Sequence, residues 1–136
     1  MIVADTNLLV QLVVGGPQLE RARAVFGRDH EWSAPVLWRS EFTNVLARWL
    51  RTGEVAIAGA EELYHRAEEL LSGREYFVPA ARVLRLLTVS PCSAYDCEFV
   101  ALAQVLGTRL VTSDQEVLRA FPDVAIEPER FVEGSV

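Results

Sequence analysis

The amino-acid sequence predicts an α/β domain organised around a parallel β-sheet. Short apolar segments alternate along the chain with longer segments of helical periodicity, which is the pattern of repeated strand–helix units. The predicted strands are apolar throughout instead of alternating, as expected where helices cover both faces of a sheet. The 136 residues contain no repeat, low-complexity run or linker, so we expect a single domain over residues 1–136.

The amino-terminal half contains two predicted strands and four segments of helical character. Pro17, which follows two glycines, favours the first position of a helix, and Gly53 and Gly73 favour helix ends. The predicted elements are a strand at 1–5, a helical or turn segment at 6–14, a helix from 17 to about 26, a strand at 33–35, and helices at 36–51 and about 57–71.

The carboxyl-terminal half repeats the alternation with shorter strands. Gly107 marks the end of its longest helix. The predicted elements are a short helix at 80–87 that runs into a strand at 87–91, a helix at 93–107, a strand at 109–112, a helix at 113–121 and a last strand at 124–126.

The charged residues exclude some functions. The formal net charge is −6, and all 13 basic residues are arginines. A mechanism that requires a catalytic lysine is therefore excluded. The acidic balance also argues against passive binding of nucleic acid through a general positive field.

The cysteines and the apolar runs bear on the compartment. Cys92 and Cys97 are too few for a disulfide framework, so we expect a reduced, cytoplasmic protein. They also lack further ligands at zinc spacing, which favours a role as small core residues. The chain opens in a strand-like segment without a basic region, and its apolar runs are short, so neither a signal peptide nor a membrane span is expected.

Three aspartates are predicted close to the carboxyl ends of strands. Asp5 ends the first strand, Asp96 lies in the first turn of a helix that follows a predicted strand, and Asp114 follows another. Ligand sites in open parallel sheets form at these strand ends, so the three carboxylates could converge. Each also has an ordinary explanation, because Asp96 and Asp114 fit helix capping boxes and Asp5 could begin a turn.

Glu41 favours a site over a set of helix caps. It lies four residues after Leu37 and four before Val45, which places it on the apolar stripe of a predicted helix. A buried glutamate needs a partner. An arginine such as Arg39 or Arg82 is one alternative, and a divalent cation shared with the aspartates is the other. Oxygen ligands of this kind favour Mg²⁺ or Mn²⁺ over zinc.

Four segments contain the acidic residues discussed above: VADTN at 3–7, SEFTNVL at 40–46, YDCEFVALA at 95–103 and TSDQEVL at 112–118. Together they resemble the PIN domain family, and most closely its VapC-type toxins from prokaryotic toxin–antitoxin modules. These segments occur in the family's order and span nearly the whole chain. Cys97 stands where a small apolar residue is usual.

The resemblance implies a three-layer α/β/α sandwich with a central parallel sheet and a metal-dependent endoribonuclease activity. Metal-activated water would hydrolyse the RNA phosphodiester bond. By position, the catalytic residues and ligands of Mg²⁺ or Mn²⁺ would be Asp5, Glu41, Asp96 and Asp114. Thr6, Asn7 and Ser113 would support them by hydrogen bonding.

Further expectations concern partners. Four carboxylates repel RNA, so flanking arginines should help to bind it, and Arg39, Arg48 and Arg51 lie on or beside the helix that carries Glu41. That helix is apolar on more than one side, which predicts a homodimer. The resemblance implies a homodimer too, and it adds a cognate antitoxin protein that blocks the pocket.

Two other functions stay open at this point. A receiver-like or phosphatase-like domain with an acidic Mg²⁺ pocket would need a lysine, which the chain lacks, and the phosphatase type expects an aspartate where Asn7 stands. A catalytically silent α/β binding module would need none of the four carboxylates.

Overall fold

The computed structural model describes residues 1–134, so the last two residues of the expected domain lie outside the described part. The elements in chain order are β1 (Ile2–Ala4), α1 (Thr6–Val13), α2 (Leu19–Arg28), β2 (Trp32–Pro35), α3 (Trp38–Thr52), α4 (Ile57–Leu70), β3 (Glu75–Tyr76), α5 (Ala80–Leu87), α6 (Ala94–Leu106), β4 (Leu110–Val111), α7 (Gln115–Ala120), β5 (Ala125–Ile126) and α8 (Pro128–Glu133).

The five strands form one sheet in the order β3-β2-β1-β4-β5, and every pair is parallel. The predicted parallel α/β fold is therefore confirmed. The chain runs outward from β1 through β2 to β3, then crosses back to place β4 on the other side of β1. This reversal between β1 and β4 is the switch point at which open α/β sheets form ligand sites.

Helices cover the sheet as a three-layer sandwich. On one face α6 packs against β1, β2 and β4, and α5 packs on α6. α1 contacts α2, α3 and α4, and α2 contacts α8. The three residues of β1 are all buried, as are Trp32 in β2 and Leu110 and Val111 in β4, which explains why these strands are apolar throughout.

The strand predicted at 87–91 is wrong. α5 ends at Leu87, and the next residues form a turn in which the amides of Thr88 and Val89 donate to carbonyls of the helix. The Thr88 hydroxyl donates to Arg85 O (2.6 Å) and the Ser90 hydroxyl to Leu86 O (3.0 Å), so side chains complete the helix end. Val89 is 73% exposed, so the apolar residue in this segment does not mark a buried strand.

Two elements escaped the sequence patterns. β3 has only two residues, Glu75 and Tyr76, and pairs with β2 at the edge of the sheet, where no apolar run is needed. α8 begins with Pro128 in its first turn and packs against α2. Among residues 1–134, no helix is long and apolar enough to cross a membrane.

Candidate active site

Asp5 is held by its own helix and by the neighbouring strand end. It follows β1 and caps α1, with Oδ1 accepting a hydrogen bond from the Leu8 amide at 2.8 Å. Oδ2 accepts one from the Thr112 hydroxyl at 2.5 Å. Because β1 and β4 are adjacent, residues that follow them meet at one edge of the sheet, and both Asp5 oxygens are fixed there.

Asp114 is positioned by the same Thr112 side chain. Its amide donates to Thr112 Oγ1 at 3.1 Å, while its Oδ1 caps α7 by accepting from the Glu116 and Val117 amides at 2.9 and 3.2 Å. The capping interpretation is thus correct for Asp114, and Asp5, for which the sequence suggested only the start of a turn, is a helix cap as well. Oδ1 of Asp114 is therefore hydrogen-bonded to the start of α7, and Asp114 also lines a cavity.

Glu41 comes from α3, on the far side of α1. It lies in the first turn of α3, is half-buried, and accepts a hydrogen bond from the Thr6 hydroxyl at 2.6 Å. Among the described residues no arginine lies within 4.0 Å of its carboxylate, and neither Arg39 nor Arg82 pairs with it. The arginine alternative for Glu41 is therefore wrong.

Asp96 lies in the first turn of α6, and Ser93 is the actual cap of this helix. Ser93 Oγ accepts from the Asp96 amide at 3.1 Å. The helix follows a turn and not a strand, so Asp96 reaches the sheet edge from the helical layer above β1 and β4. The hydroxyl and the amide of Ser93 are the groups that interact with its carboxylate, and they lower its pKa against the larger effect of burial.

The four carboxylates share one cavity of about 250 Å³. Its lining is Asp5, Thr6, Asn7, Glu41, Asn44, Val45, Asp96, Phe99, Leu110, Thr112, Asp114 and Val117. Ser113 is not part of this lining, and the neighbouring Thr112 makes the hydrogen bonds that the resemblance assigned to a supporting side chain.

Burial and mutual repulsion raise the proton affinity of this cluster. Burial, reinforced by the charges of Asp114 and Glu41, raises the pKa of Asp5 to about 6, against the opposing hydrogen bonds from Thr112 and Leu8. Burial also raises the pKa of Glu41, with Asp96 adding to the effect, and that of Asp96, with Asp114 adding to it. The cluster thus has an excess of negative charge that no described side chain neutralises.

Sequence patterns missed part of the site. Asn44 lies three residues after Glu41, on the same side of α3, and Phe99 lies three residues after Asp96 on α6. Helical spacing from an acidic residue was the available signal for both. Glu98 is a further carboxylate nearby: burial raises its pKa and the charge of Glu41 adds to this.

The predicted RNA-binding arginines differ in their surroundings. Arg39 is engaged on the protein itself, through contacts to Glu68 (2.6 Å) and to both oxygens of Glu75 (2.7 Å each). It also lies over the rings of Trp38 and Tyr64. Arg48 and Arg51 are exposed on α3, and no ion pair within residues 1–134 includes them.

The donor set fits a hard divalent cation. Four carboxylates converge, and they are flanked by hydroxyl and amide oxygens from Thr6, Asn7 and Asn44. Mg²⁺ and Mn²⁺ prefer such oxygen ligands, and a cation would offset the burial and the repulsion that together raise the pKa values of Asp5, Glu41 and Asp96. The same charge would attract a phosphate group to a pocket that otherwise repels it.

Comparisons with known proteins bear on the family and the fold. A family model described as PIN domain matches residues 2–125. Among solved structures, the chain is similar to PAE2754 from Pyrobaculum aerophilum (20% identity, 98% of this chain and 88% of that one, TM-score 0.75). It is also similar to FitAcB from Neisseria gonorrhoeae (19%, 95% and 99%, 0.75) and to a toxin-antitoxin complex from Klebsiella pneumoniae (16%, 94% and 98%, 0.68). A comparison with curated proteins gives no match. The chain belongs to the PIN domain family, as the resemblance of its sequence motifs indicated.

Proposed function

We propose that this member of the PIN domain family is a metal-dependent endoribonuclease, formed by residues 1–136 as a single domain and acting as the toxin of a toxin–antitoxin pair. The observation that carries the proposal is the convergence of Asp5, Glu41, Asp96 and Asp114 on one cavity without a neutralising arginine among the described residues. Such a cluster is suited to Mg²⁺ or Mn²⁺.

The protein side chains have defined tasks in this proposal. A bound divalent cation would supply a more acidic water and charge neutralisation for the phosphodiester group. Asp5 keeps a fixed orientation because the Leu8 amide and the Thr112 hydroxyl each donate to one of its oxygens. The Thr6 hydroxyl holds one oxygen of Glu41. Asn7 lines the cavity. Asn7 and Ser113, which lies in the adjoining turn, are proposed to support the carboxylates by hydrogen bonding. Phe99 and Val45 narrow the space open to water.

RNA binding is proposed to depend on Arg48 and Arg51. Both are exposed on the helix that carries Glu41, and their charges oppose the repulsion between phosphates and the acidic cavity. Arg39 has a different part in this proposal. Its guanidinium is held by Glu68 and Glu75, so it fixes the position of α3 and contributes little free charge to RNA.

We propose two protein partners, a second copy of the chain and a cognate antitoxin. One of the similar structures is a toxin-antitoxin complex. An apolar groove between α3 and α4, lined in part by Leu46, Leu50, Ile57 and Tyr64, offers a surface on the helix that carries Glu41. A partner segment lying here would be close to the cavity entrance. Two free, buried cysteines are consistent with a cytoplasmic location.

Cleavage of a single-stranded RNA by the purified protein tests the activity. We expect cleavage with Mg²⁺ or Mn²⁺, loss of cleavage with a chelator, and loss in Asp96→Asn, which removes one of the four negative charges of the cavity. Asp123→Asn, an exposed aspartate outside the cavity, is the matched control and should cleave like the wild type. Cleavage that persists in chelator or in Asp96→Asn would contradict the proposal.

The partners need separate measurements. Light scattering at micromolar concentration should give twice the chain mass, and a monomer would count against the homodimer. Co-expression with the product of the adjacent upstream gene should yield a complex without nuclease activity. A failure to bind, or a complex that still cleaves RNA, would contradict the antitoxin assignment.

A further inference from the structure

A thiol and two carboxylates meet beside the acidic cavity. Cys92 lies in the turn between α5 and α6, Asp96 one helical turn later, and Glu116 in the first turn of α7. One ligand atom from each lies within 4.8 Å of the other two. Three separate segments therefore direct a sulfur and two oxygens at one point, although Cys92 and Glu116 are not part of the cavity lining.

The described residues place no positive charge beside Cys92, Asp96 and Glu116. Cys92 is only 4% exposed, so its sulfur faces the two carboxylates and not solvent. Within residues 1–134, no basic group lies within 4.0 Å of Asp96 or Glu116. Burial raises the pKa of the Cys92 thiol against an opposing hydrogen bond with Ser90, and Cys97, Glu116 and Asp96 add smaller contributions in the same direction as burial. The neutral thiol supplies no positive charge to the two carboxylates, so a cation bound between the three ligand atoms would have no basic side chain to displace.

We propose that Cys92, Asp96 and Glu116 form a second metal site, which takes a thiolate-binding transition-metal ion of the Zn²⁺ class. Zinc–sulfur and zinc–oxygen bonds are about 2.0–2.3 Å, so two ligands of one ion lie less than about 4.6 Å apart, close to the separations seen here. Three protein ligands and one water would complete a tetrahedral ion. Binding displaces the thiol proton, which passes to solvent.

The ligand chemistry separates this site from the four-carboxylate cavity. Sulfur favours zinc, cobalt and cadmium over magnesium, whereas the cavity offers oxygen alone. Asp96 is common to both sets. An ion on Cys92 therefore engages a carboxylate that the cavity needs and adds positive charge next to it, so occupancy of this site should weaken Mg²⁺ binding in the cavity.

Cobalt(II) titration tests the site without any activity measurement. A cobalt–thiolate bond gives a charge-transfer absorption in the near ultraviolet that oxygen ligands do not give. We expect the reduced, metal-free protein to develop this band to saturation at one equivalent, and Zn²⁺ to abolish it. Cys92→Ser should lose the band. Cys97→Ala, which removes the other buried thiol, should keep it, and Asp5→Asn should keep it as well.

Glu116→Gln is the second variant, because Glu116 is exposed and its replacement leaves the core intact. Even the partners that orient metal ligands are typically worth about tenfold in affinity, so loss of a direct ligand should weaken cobalt binding by about tenfold or more. The proposal is overturned if the wild type gives no band, if Cys92→Ser keeps it, or if Glu116→Gln binds cobalt like the wild type. None of these results bears on cleavage with Mg²⁺, which uses no thiol.

Discussion

Replacing Asp5 by asparagine should stabilise the metal-free protein at neutral pH, although it removes a carboxylate from the cavity. The folded protein raises the pKa of Asp5 from 3.8 to about 6, so ionisation of this residue favours the unfolded chain. Asparagine is close in shape and stays neutral. Its side-chain oxygen can still accept from the Leu8 amide, which keeps the cap of α1.

The size of the effect follows from this pKa change. The native protein binds more protons than the unfolded chain between the two values, so its stability falls as pH rises from about 4 to about 6 and then levels off. The full cost of ionising Asp5 is about 3 kcal/mol, and about 1.4 kcal/mol of it develops between pH 5 and pH 7.5. Thr112 loses its carboxylate acceptor, which offsets about 1 kcal/mol.

Urea unfolding in chelator, at about pH 5 and about pH 7.5, measures both quantities. We expect Asp5→Asn to be more stable than the wild type by about 2 kcal/mol at the higher pH and by less than about 1 kcal/mol at the lower. Asp123→Asn should follow the wild type at both. If Asp5→Asn is destabilised by the same amount at both pH values, Asp5 is not a strained carboxylate and the electrostatic account of the cavity is wrong.

Three other changes examine the same site and its support. Thr112→Val removes the hydrogen bond that lowers the pKa of Asp5, so the acidic limb of the pH–cleavage profile should move to higher pH, while an unmoved profile would contradict this role. Glu41→Gln should abolish cleavage with an unchanged circular dichroism spectrum, because the Thr6 hydroxyl can donate to an amide oxygen as well; residual activity near the wild-type rate would count against Glu41. Arg39→Ala should lower the free energy of unfolding by about 1 kcal/mol, because it removes the ion pairs with Glu68 and Glu75. Arg48→Ala should leave the free energy of unfolding unchanged and weaken RNA binding. The opposite pattern in urea unfolding and RNA titration would show that the two arginines have exchanged roles.

The sequence predicted the sheet well because buried parallel strands leave a strong pattern. β1 and β4 are apolar, fully buried and followed by acidic residues. The apolar run and the acidic residue after it can be recognised in the sequence without knowing which strands pair. The segment 87–91 suggested a strand because Thr88 and Val89 favour strands by composition, whereas the hydroxyl groups of Thr88 and Ser90 here end a helix. β3 could not be found, because its pairing with β2 depends on backbone hydrogen bonds that no side-chain pattern reports.

The sequence indicated the acidic residues of the candidate site, but it did not indicate Thr112, whose hydrogen bonds position two of them. Glu41 stood out since a carboxylate on an apolar stripe needs an explanation. Thr112 did not, because a threonine at a strand end is ordinary, and its double role between Asp5 and the Asp114 amide exists only when β1 and β4 are adjacent. Cys92 is the buried core residue that its spacing predicts, and its proximity to Glu116 depends on tertiary structure that no spacing reports.

Helix starts explain how the fold tolerates the acidic cluster without a cation. Asp5 and Asp114 accept amide hydrogen bonds at the starts of α1 and α7, and Asp96 lies in the first turn of α6. The positive ends of three helices thus face the carboxylates, and each contributes roughly 0.3–1 kcal/mol at most sites. The amide hydrogen bond from Leu8 is already included in the pKa of Asp5, and ionising this residue still costs about 3 kcal/mol, so the cluster keeps a net demand for positive charge. The helix caps allow the protein to fold while the carboxylates remain only partly compensated. Binding of a divalent cation would therefore stabilise the folded protein further, which is the combination that a metal-dependent nuclease requires.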